Sequence, residues 1–274
     1  MRKLLLLASL PFFLLPIAQG QYLEVGAFTG ISFYSGDLQH QTLELKEGNM
    51  AYGFFTRYNF SYRFSAKLHY YKGRISAKDE NSSTHAHRNL HFQSDIHEIG
   101  LQGEFNLMPQ RWDYSDKIAI YLFGGVSTFT FNPQAYGDEG WVDLQPLGTE
   151  GQGLPQYPDR QPYQLREFAI PFGVGMKLFA NDFVNIGIEL GARKTFTDYL
   201  DDVGNTYPDI VALAEVNPTA AAFSYRGDPR RASRKEGGPR GNPEFQDWYF
   251  FTGLTFSFNL FGYSPTTSEY RGIF

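Results

Sequence analysis

The feature that most constrains this sequence is a period of two in its apolar side chains, which recurs along most of the chain. In the first such run Leu23, Val25, Ala27, Ile31 and Phe33 share one face, and the opposite face is mixed. Alternation of this kind predicts a β-strand with one apolar face. The pattern predicts eight strands, at 22–34, 51–60, 64–75, 93–107, 117–131, 164–180, 184–198 and 246–261.

The connections between these runs alternate in length. Three are short, at 61–63, 108–116 and 181–183, and four are long, at 35–50, 76–92, 132–163 and 199–245. An even strand number with short turns at one end and long loops at the other is typical of outer-membrane barrels. The sequence therefore predicts an all-β fold, an eight-stranded antiparallel transmembrane β-barrel with long extracellular loops and short periplasmic turns. A soluble lipocalin-like barrel would turn its apolar face inward.

Charged residues decide between these two barrels because they fall on the face opposite the apolar one. We expect them to point into the lumen, where an eight-stranded barrel has room only for side chains. Mixed charges there favour a paired plug over a conducting pore, and we expect Glu189 and Arg193 to find partners on neighbouring strands. The predicted lumen charge network comprises Glu24, Arg57, Lys67, Glu98, Glu104, Lys177, Glu189 and Arg193, with His69 among them.

The amino terminus has the features of a secretory signal peptide. Arg2 and Lys3 precede an apolar run from Leu4 to Ile17, which ends at the small-residue pattern "AQG". We interpret 1–20 as a cleaved signal peptide. A retained membrane helix is the alternative, but it needs about 20 apolar residues. The predicted organisation is then a barrel over 21–261 and a periplasmic tail over 262–274.

Aromatic residues gather near the ends of the predicted strands. They fit girdles at the two membrane interfaces, although β-propensity and core packing explain some of them. The candidates are Tyr34, Tyr58, Phe60, Trp112, Tyr114, Phe129, Phe131, Tyr199, Trp248 and Tyr249.

Candidate chemistry is sparse. His85, His87 and His91 could form part of a metal site, but a solvated polar loop explains them better. The "RGD" at 226–228 matches a receptor-recognition tripeptide, and we attribute it to an Arg-rich composition. With a net charge of −5, no Cys and no catalytic motif, the chain is predicted to be a non-enzyme without cofactors, metal or nucleic-acid partners.

Five segments of the chain carry a family resemblance: "YLEVGAFTGISFYSGDL" (22–38), "SDIHEIGLQGEFNL" (94–107), "YLFGGV" (121–126), "LQPLGTEGQGL" (144–154) and "IGIELGARKTFTDYLDDV" (186–203). They resemble the PorG family, the outer-membrane barrel component of the type IX secretion machinery of Bacteroidota. The resemblance implies a non-enzymatic scaffold in contact with outer-membrane lipid. It also implies partners of the PorK and PorN type, which form a periplasmic ring, and in some members a role in gliding motility.

A ring on the periplasmic side would have to bind the short turns or the tail. The turn "MPQRWDYSD" (108–116) and the tail offer aromatic and Arg side chains of the kind enriched at interfaces. The predicted contacts are Arg111, Trp112, Tyr114, Tyr263, Tyr270, Arg271 and Phe274. The alternative functions are a surface adhesion or binding barrel that acts through its extracellular loops and, ranked lowest, a lipid enzyme at the rim.

Two long loops have opposite charge. The segment 132–162 has a net charge of −4, and 226–241 has a net charge of +4. Because the strands that carry them are joined by a short turn, we expect the two loops to attract each other and close the barrel mouth. Binding of anionic polysaccharide by the basic segment is the competing interpretation.

Overall fold

The fold is taken from a computed structural model, which describes residues 22–38, 47–61, 63–81, 88–108, 118–138, 140–180, 183–228, 230 and 235–260. The predicted signal peptide and carboxy-terminal tail lie outside these residues.

In the part of the chain that the structure describes, ten strands form one antiparallel sheet, and eight of them form a barrel. The barrel strands are β1 (Tyr22–Ser35), β2 (Asn49–Asn59), β3 (Phe64–Lys78), β4 (His91–Asn106), β5 (Ile118–Thr130), β8 (Arg166–Phe179), β9 (Val184–Thr195) and β10 (Trp248–Asn259). The other two, β6 (Pro133–Gly137) and β7 (Gly140–Asp143), form a hairpin whose first strand pairs with the start of β4.

The barrel is closed because β1 pairs with both β2 and β10. Following paired residues once around the barrel from Leu23 leads back to β1 at Phe33, ten residues further on. Such a stagger is what closing a sheet of tilted strands requires, and with eight strands it leaves an interior that side chains fill. The predicted fold class is confirmed.

Two short helices, α1 (Ile210–Val216) and α2 (Pro218–Ser224), lie between β9 and β10. Their starts follow from local sequence: the side chains of Asp209 and Asn217 each accept a hydrogen bond from a backbone N–H in the first turn. No helix in the part of the chain that the structure describes is long and apolar enough to cross a membrane.

The hairpin lies within 132–163, which the sequence predicted only as a long connection. Residues 141–143 belong to β7, and Gln145–Leu147 form a 3-10 turn. Buried apolar side chains hold these pieces together, because Phe223 of α2 packs against Ala135 and Leu144. We call the described parts of 131–165 and 196–247 the cap.

Candidate functional site

Six residues of the predicted lumen network meet in one buried group, which we call the inner ion cluster. Each of the six is 4% exposed or less. The cluster comprises Glu24, Arg57, Lys67, Glu104, Lys177 and Glu189. Its three carboxylates balance its three cations, so the formal charge is zero.

Arg57 connects the carboxylates of the inner ion cluster. It lies 2.7 Å from Glu24, 2.8 Å from Glu104 and 3.5 Å from Glu189. Lys67 lies 2.6 Å from Glu189. Because buried charges are costly unless they are paired and hydrogen-bonded, this arrangement explains how six of them are tolerated in the lumen.

Glu98 and Arg193 form a separate pair closer to the long loops. The Arg193 guanidinium donates to both carboxylate oxygens of Glu98, at 3.2 Å each. The same carboxylate accepts a hydrogen bond from Tyr249 at 2.6 Å and lies 2.8 Å from His69 Nε2. All four side chains are buried.

The partners of Glu189 and Arg193 lie across the barrel, and this corrects the expectation that they would lie on neighbouring strands. Both residues lie on β9, whereas their partners Lys67 and Glu98 lie on β3 and β4. The physical reason is the narrow interior, where long side chains from opposite walls meet.

The outer surface of the barrel is apolar. Among the described strand residues, the outward-facing charges lie only toward the long-loop end, at Lys72, Arg74, Lys78, Asp95, Arg166 and Lys194. Large apolar side chains fill the middle of the surface, with Leu101 54%, Val126 63% and Leu190 50% exposed. An apolar band around a polar interior is the arrangement of a barrel that crosses the outer membrane. The protein is an outer-membrane β-barrel.

The aromatic girdle prediction is wrong for four residues. The side chains of Tyr34, Phe129, Phe131 and Tyr249 are at most 2% exposed and pack in the main hydrophobic core. Core packing therefore accounts for them, and Tyr249 also donates a hydrogen bond to Glu98.

The remaining girdle candidates divide into three cases. Tyr58 and Phe60 are exposed near the short turns, and the Trp248 ring meets the lipid-facing Phe172 at 6.0 Å. Tyr199 instead stacks on Tyr163 of the cap, with ring centroids 4.6 Å apart. Trp112 and Tyr114 are outside the described residues.

The two oppositely charged loops meet in the cap through Glu150 and Arg240. Both are buried, and Arg240 Nη1 lies 2.9 Å from Glu150 Oε1. The same oxygen accepts hydrogen bonds from the backbone N–H groups of Gly204 and Asn205, each at 3.1 Å. Glu150 therefore joins the loop before β8 to the loop after β9.

Asp202 forms the second half of this junction. Its carboxylate accepts hydrogen bonds from Thr149 and Tyr163 and lies 3.4 Å from Arg240. Burial raises the pKa of Asp202 to about 6, although Arg240 and Thr149 oppose the rise. Its φ of 66° is in the left-handed region, which a non-Gly residue occupies only at a cost. The surrounding contacts hold it there.

Arg88 fastens a third loop to the cap. It donates to both carboxylate oxygens of Asp79, at 2.8 and 2.6 Å, and to the backbone carbonyls of Asp37 and Arg240. Sequence reasoning missed this residue, because a single Arg in a loop gives no pattern.

The loop histidines and the "RGD" tripeptide make structural contacts wherever they lie in the described residues. His91 accepts a hydrogen bond from the backbone N–H of Tyr136 at 2.9 Å, whereas His85 and His87 lie outside the described residues. Arg226, the first residue of "RGD", donates to the Tyr136 carbonyl and covers the Phe223 ring. Within the described ranges no group of three or more His, Asp or Glu residues is arranged to hold a metal ion.

The seven predicted ring contacts belong to the turn 108–116 and the tail 262–274. All seven lie outside the described residues: Arg111, Trp112, Tyr114, Tyr263, Tyr270, Arg271 and Phe274.

Comparison with family models gives a match over residues 2–145, more than half of the chain, to a family described as a domain of unknown function (DUF6089). The chain belongs to the DUF6089 family. No curated protein matches it.

Solved structures similar to this DUF6089 protein are outer-membrane barrels of low identity. Ail of Yersinia pestis is 7% identical with a TM-score of 0.42, covering 88% of this chain and 99% of its own. Neisserial surface protein A is 8% identical with a TM-score of 0.44 and the same coverage. OprG of Pseudomonas aeruginosa is 11% identical with a TM-score of 0.38, covering 88% and 96%. These likenesses are too distant to bear on function.

Proposed function

We propose that this DUF6089 protein is a non-enzymatic scaffold of the outer membrane, of the PorG kind, that tethers a PorK/PorN-type periplasmic ring of the type IX secretion system. The observation that carries the proposal is the filled lumen. In the inner ion cluster and the Glu98–Arg193 pair, the charged side chains of the lumen contact one another. A lumen filled in this way supports an anchor rather than a conduit. The type IX assignment itself rests on the resemblance of the quoted segments.

The cap supports the same interpretation. Its buried contacts between Glu150, Asp202 and Arg240 place a second folded layer above the filled lumen. A barrel that is filled inside and covered outside has only its surfaces left for function. The ring would approach the short-turn end, because the long loops lie on the opposite side of the membrane.

The ring contact is proposed at the turn 108–116 and the tail 262–274. A standard interface needs about 800 Å² from each partner, which would engage most of the short-turn surface. Trp112 and Tyr114 would be the anchors, since Trp and Tyr are enriched at interface hot spots. Arg111, Tyr263, Tyr270, Arg271 and Phe274 would add the remaining contacts.

A pull-down of the tagged full-length barrel from mild detergent tests this function. The variant Trp112→Ala/Tyr114→Ala and a truncation after Phe261 should each lower the recovery of the ring proteins. The matched control is Tyr136→Ala/Trp141→Ala, which removes the same residue types from the exposed hairpin at the opposite end. Heat-modifiable mobility in gel electrophoresis checks that every variant has folded and inserted. Undiminished recovery from both test variants, or absence of ring proteins from the wild-type eluate, would refute the tether.

One observation favours a second candidate, a surface-binding barrel. The outer face of the cap exposes Tyr136 54%, Trp141 48%, Val211 53% and Val216 71%. Exposed apolar patches on a folded surface are typical of interaction sites. If the Tyr136→Ala/Trp141→Ala control abolishes adhesion of cells that display the barrel while ring recovery from the wild type is nil, the second candidate replaces the first.

A further inference from the structure

The root of the cap contains a buried group of acidic side chains around one tyrosine. Tyr34 Oη lies 2.6 Å from Asp201 Oδ2 and 3.0 Å from Asp247 Oδ1. All three residues are at most 1% exposed. The group joins the end of β1, the segment after β9 and the residue before β10.

Tyr34 makes two contacts with carboxyl groups, but its hydroxyl supplies a proton for only one of them. A phenol has a single O–H, so Tyr34 can donate to only one of the two carboxyl groups. The carboxylate oxygen to which Tyr34 does not donate still lies within hydrogen-bond distance of the phenol oxygen. That contact is a hydrogen bond only if the carboxyl group itself carries a proton. The other oxygens are already acceptors, since Asp201 Oδ1 receives the Val203 N–H and Asp247 Oδ2 the Leu200 N–H, each at 2.9 Å.

We propose that one proton shared by Asp201 and Asp247 latches the cap onto the barrel mouth, so that the cap loosens when that proton is lost. With the proton present, one carboxyl group donates to Tyr34 and Tyr34 donates to the other. Without it, two buried carboxylates face one donor.

The cations near the latch already have other partners, although the charge of Arg88 opposes the rise that burial causes in the pKa of Asp201. Arg88 is engaged by Asp79 and by backbone carbonyls, and Arg240 is engaged by Glu150 and Asp202. Two more carboxyl groups face the latch, Asp37 and Asp198. The Asp198 oxygens have no hydrogen-bond partner among the described residues.

The pKa shifts have the direction that the geometry requires. Burial raises the pKa of Asp201, and the neighbouring Asp37 raises it further. Burial likewise raises the pKa of Asp247, with Asp201 and Asp198 adding to the rise. Burial raises the pKa of Asp198 to about 9, again with help from Asp201.

These directions fix the sign of the pH effect. A carboxyl group whose pKa is raised in the closed cap binds more protons there than in an open cap. The closed state is therefore favoured at low pH and loses stability as pH rises from the ordinary carboxyl pKa toward the raised one. Each linked proton makes opening about tenfold more frequent per pH unit in that window.

Hydrogen–deuterium exchange of the inserted full-length barrel tests the latch. Protection factors of residues 196–206, corrected for the intrinsic pH dependence of exchange, should fall by about tenfold or more per pH unit between pH 5.5 and 7.5. Asp247→Asn should reduce that slope by about one decade, since the Asn amide donates to Tyr34 permanently and its oxygen still accepts from Leu200. The control Asp95→Asn, in an exposed ion pair, should keep the wild-type slope.

Two further measurements keep the proposal testable if Asp247→Asn does not fold. Asp201→Asn replaces the other partner and should flatten the slope equally. The infrared spectrum of the wild type at neutral pH should contain a protonated-carboxyl band. An unchanged slope in either Asn variant, a pH-independent wild type, or a spectrum without that band would overturn the latch.

Discussion

We expect the substitution Glu189→Gln, within the inner ion cluster, to lower the free energy of unfolding strongly. Glu189 Oε1 lies 2.6 Å from Lys67 Nζ, 2.6 Å from Tyr121 Oη and 3.5 Å from Arg57 Nη2. The substitution Glu189→Gln keeps the shape of the side chain and removes its charge. The cluster then holds three cations against two carboxylates, and all five charges are buried.

The structure sets the size of the effect through burial. Removing one partner of a buried ion pair costs about 3–5 kcal/mol. Asp95→Asn is the matched control, because Arg74 and Asp95 also lie 2.6 Å apart, with 47% and 39% of their side chains exposed. An exposed pair contributes about 0–1 kcal/mol. The shortest ion-pair distance is the same at both sites, whereas the Glu189 site is buried and has more partners.

Urea unfolding of the barrel in lipid vesicles, followed by gel mobility, measures both free energies. We expect Glu189→Gln to lose several times more stability than Asp95→Asn. Adding Lys67→Met to Glu189→Gln should recover a large part of the loss, because charge balance returns and an apolar side chain of similar length fills the space. Equal losses in Glu189→Gln and Asp95→Asn, or no recovery in the double variant, would refute the argument from charge balance.

Two further predictions concern the exterior and the cap. Leu101→Arg, in the middle of the apolar band, should cost about 2–4 kcal/mol in the same unfolding assay, whereas Met50→Arg near the rim should cost about 0–1 kcal/mol; similar costs would contradict the placement of the band. Glu150→Gln should increase hydrogen exchange of the amides at 204–205, which donate to Glu150, and the exposed Glu236→Gln should not; unchanged exchange in Glu150→Gln would mean that the loop junction does not hold the cap.

The barrel could be predicted from sequence because its constraint is local and repeated. A strand with one face in lipid and one in the lumen must alternate, and parity then assigns each charge to a side. Glu24, Arg57 and Glu104 are buried in the lumen for that reason. The alternation of side chains does not predict which charges pair with each other. Arg193 and Glu98, for example, meet across the interior from strands that are distant in sequence.

The cap was harder to predict because its order comes from tertiary contacts. The helices α1 and α2 are seven residues each, too short for a helical period to stand out. The hairpin β6–β7 is equally short and is held by Phe223, which lies far along the chain. The acidic residues of "FTDYLDDV" were visible in the sequence, but their meeting with Tyr34 and Asp247 depends on the closed barrel.

The most direct test of a filled, capped barrel is conductance in planar bilayers. Purified full-length protein, with insertion shown by heat-modified gel mobility, should give no steady single-channel current, because the inner ion cluster and the Glu98–Arg193 pair remain in the lumen even when the cap loosens. The same result is expected from pH 5.5 to 8.5. Reproducible open channels in the wild type would contradict the account.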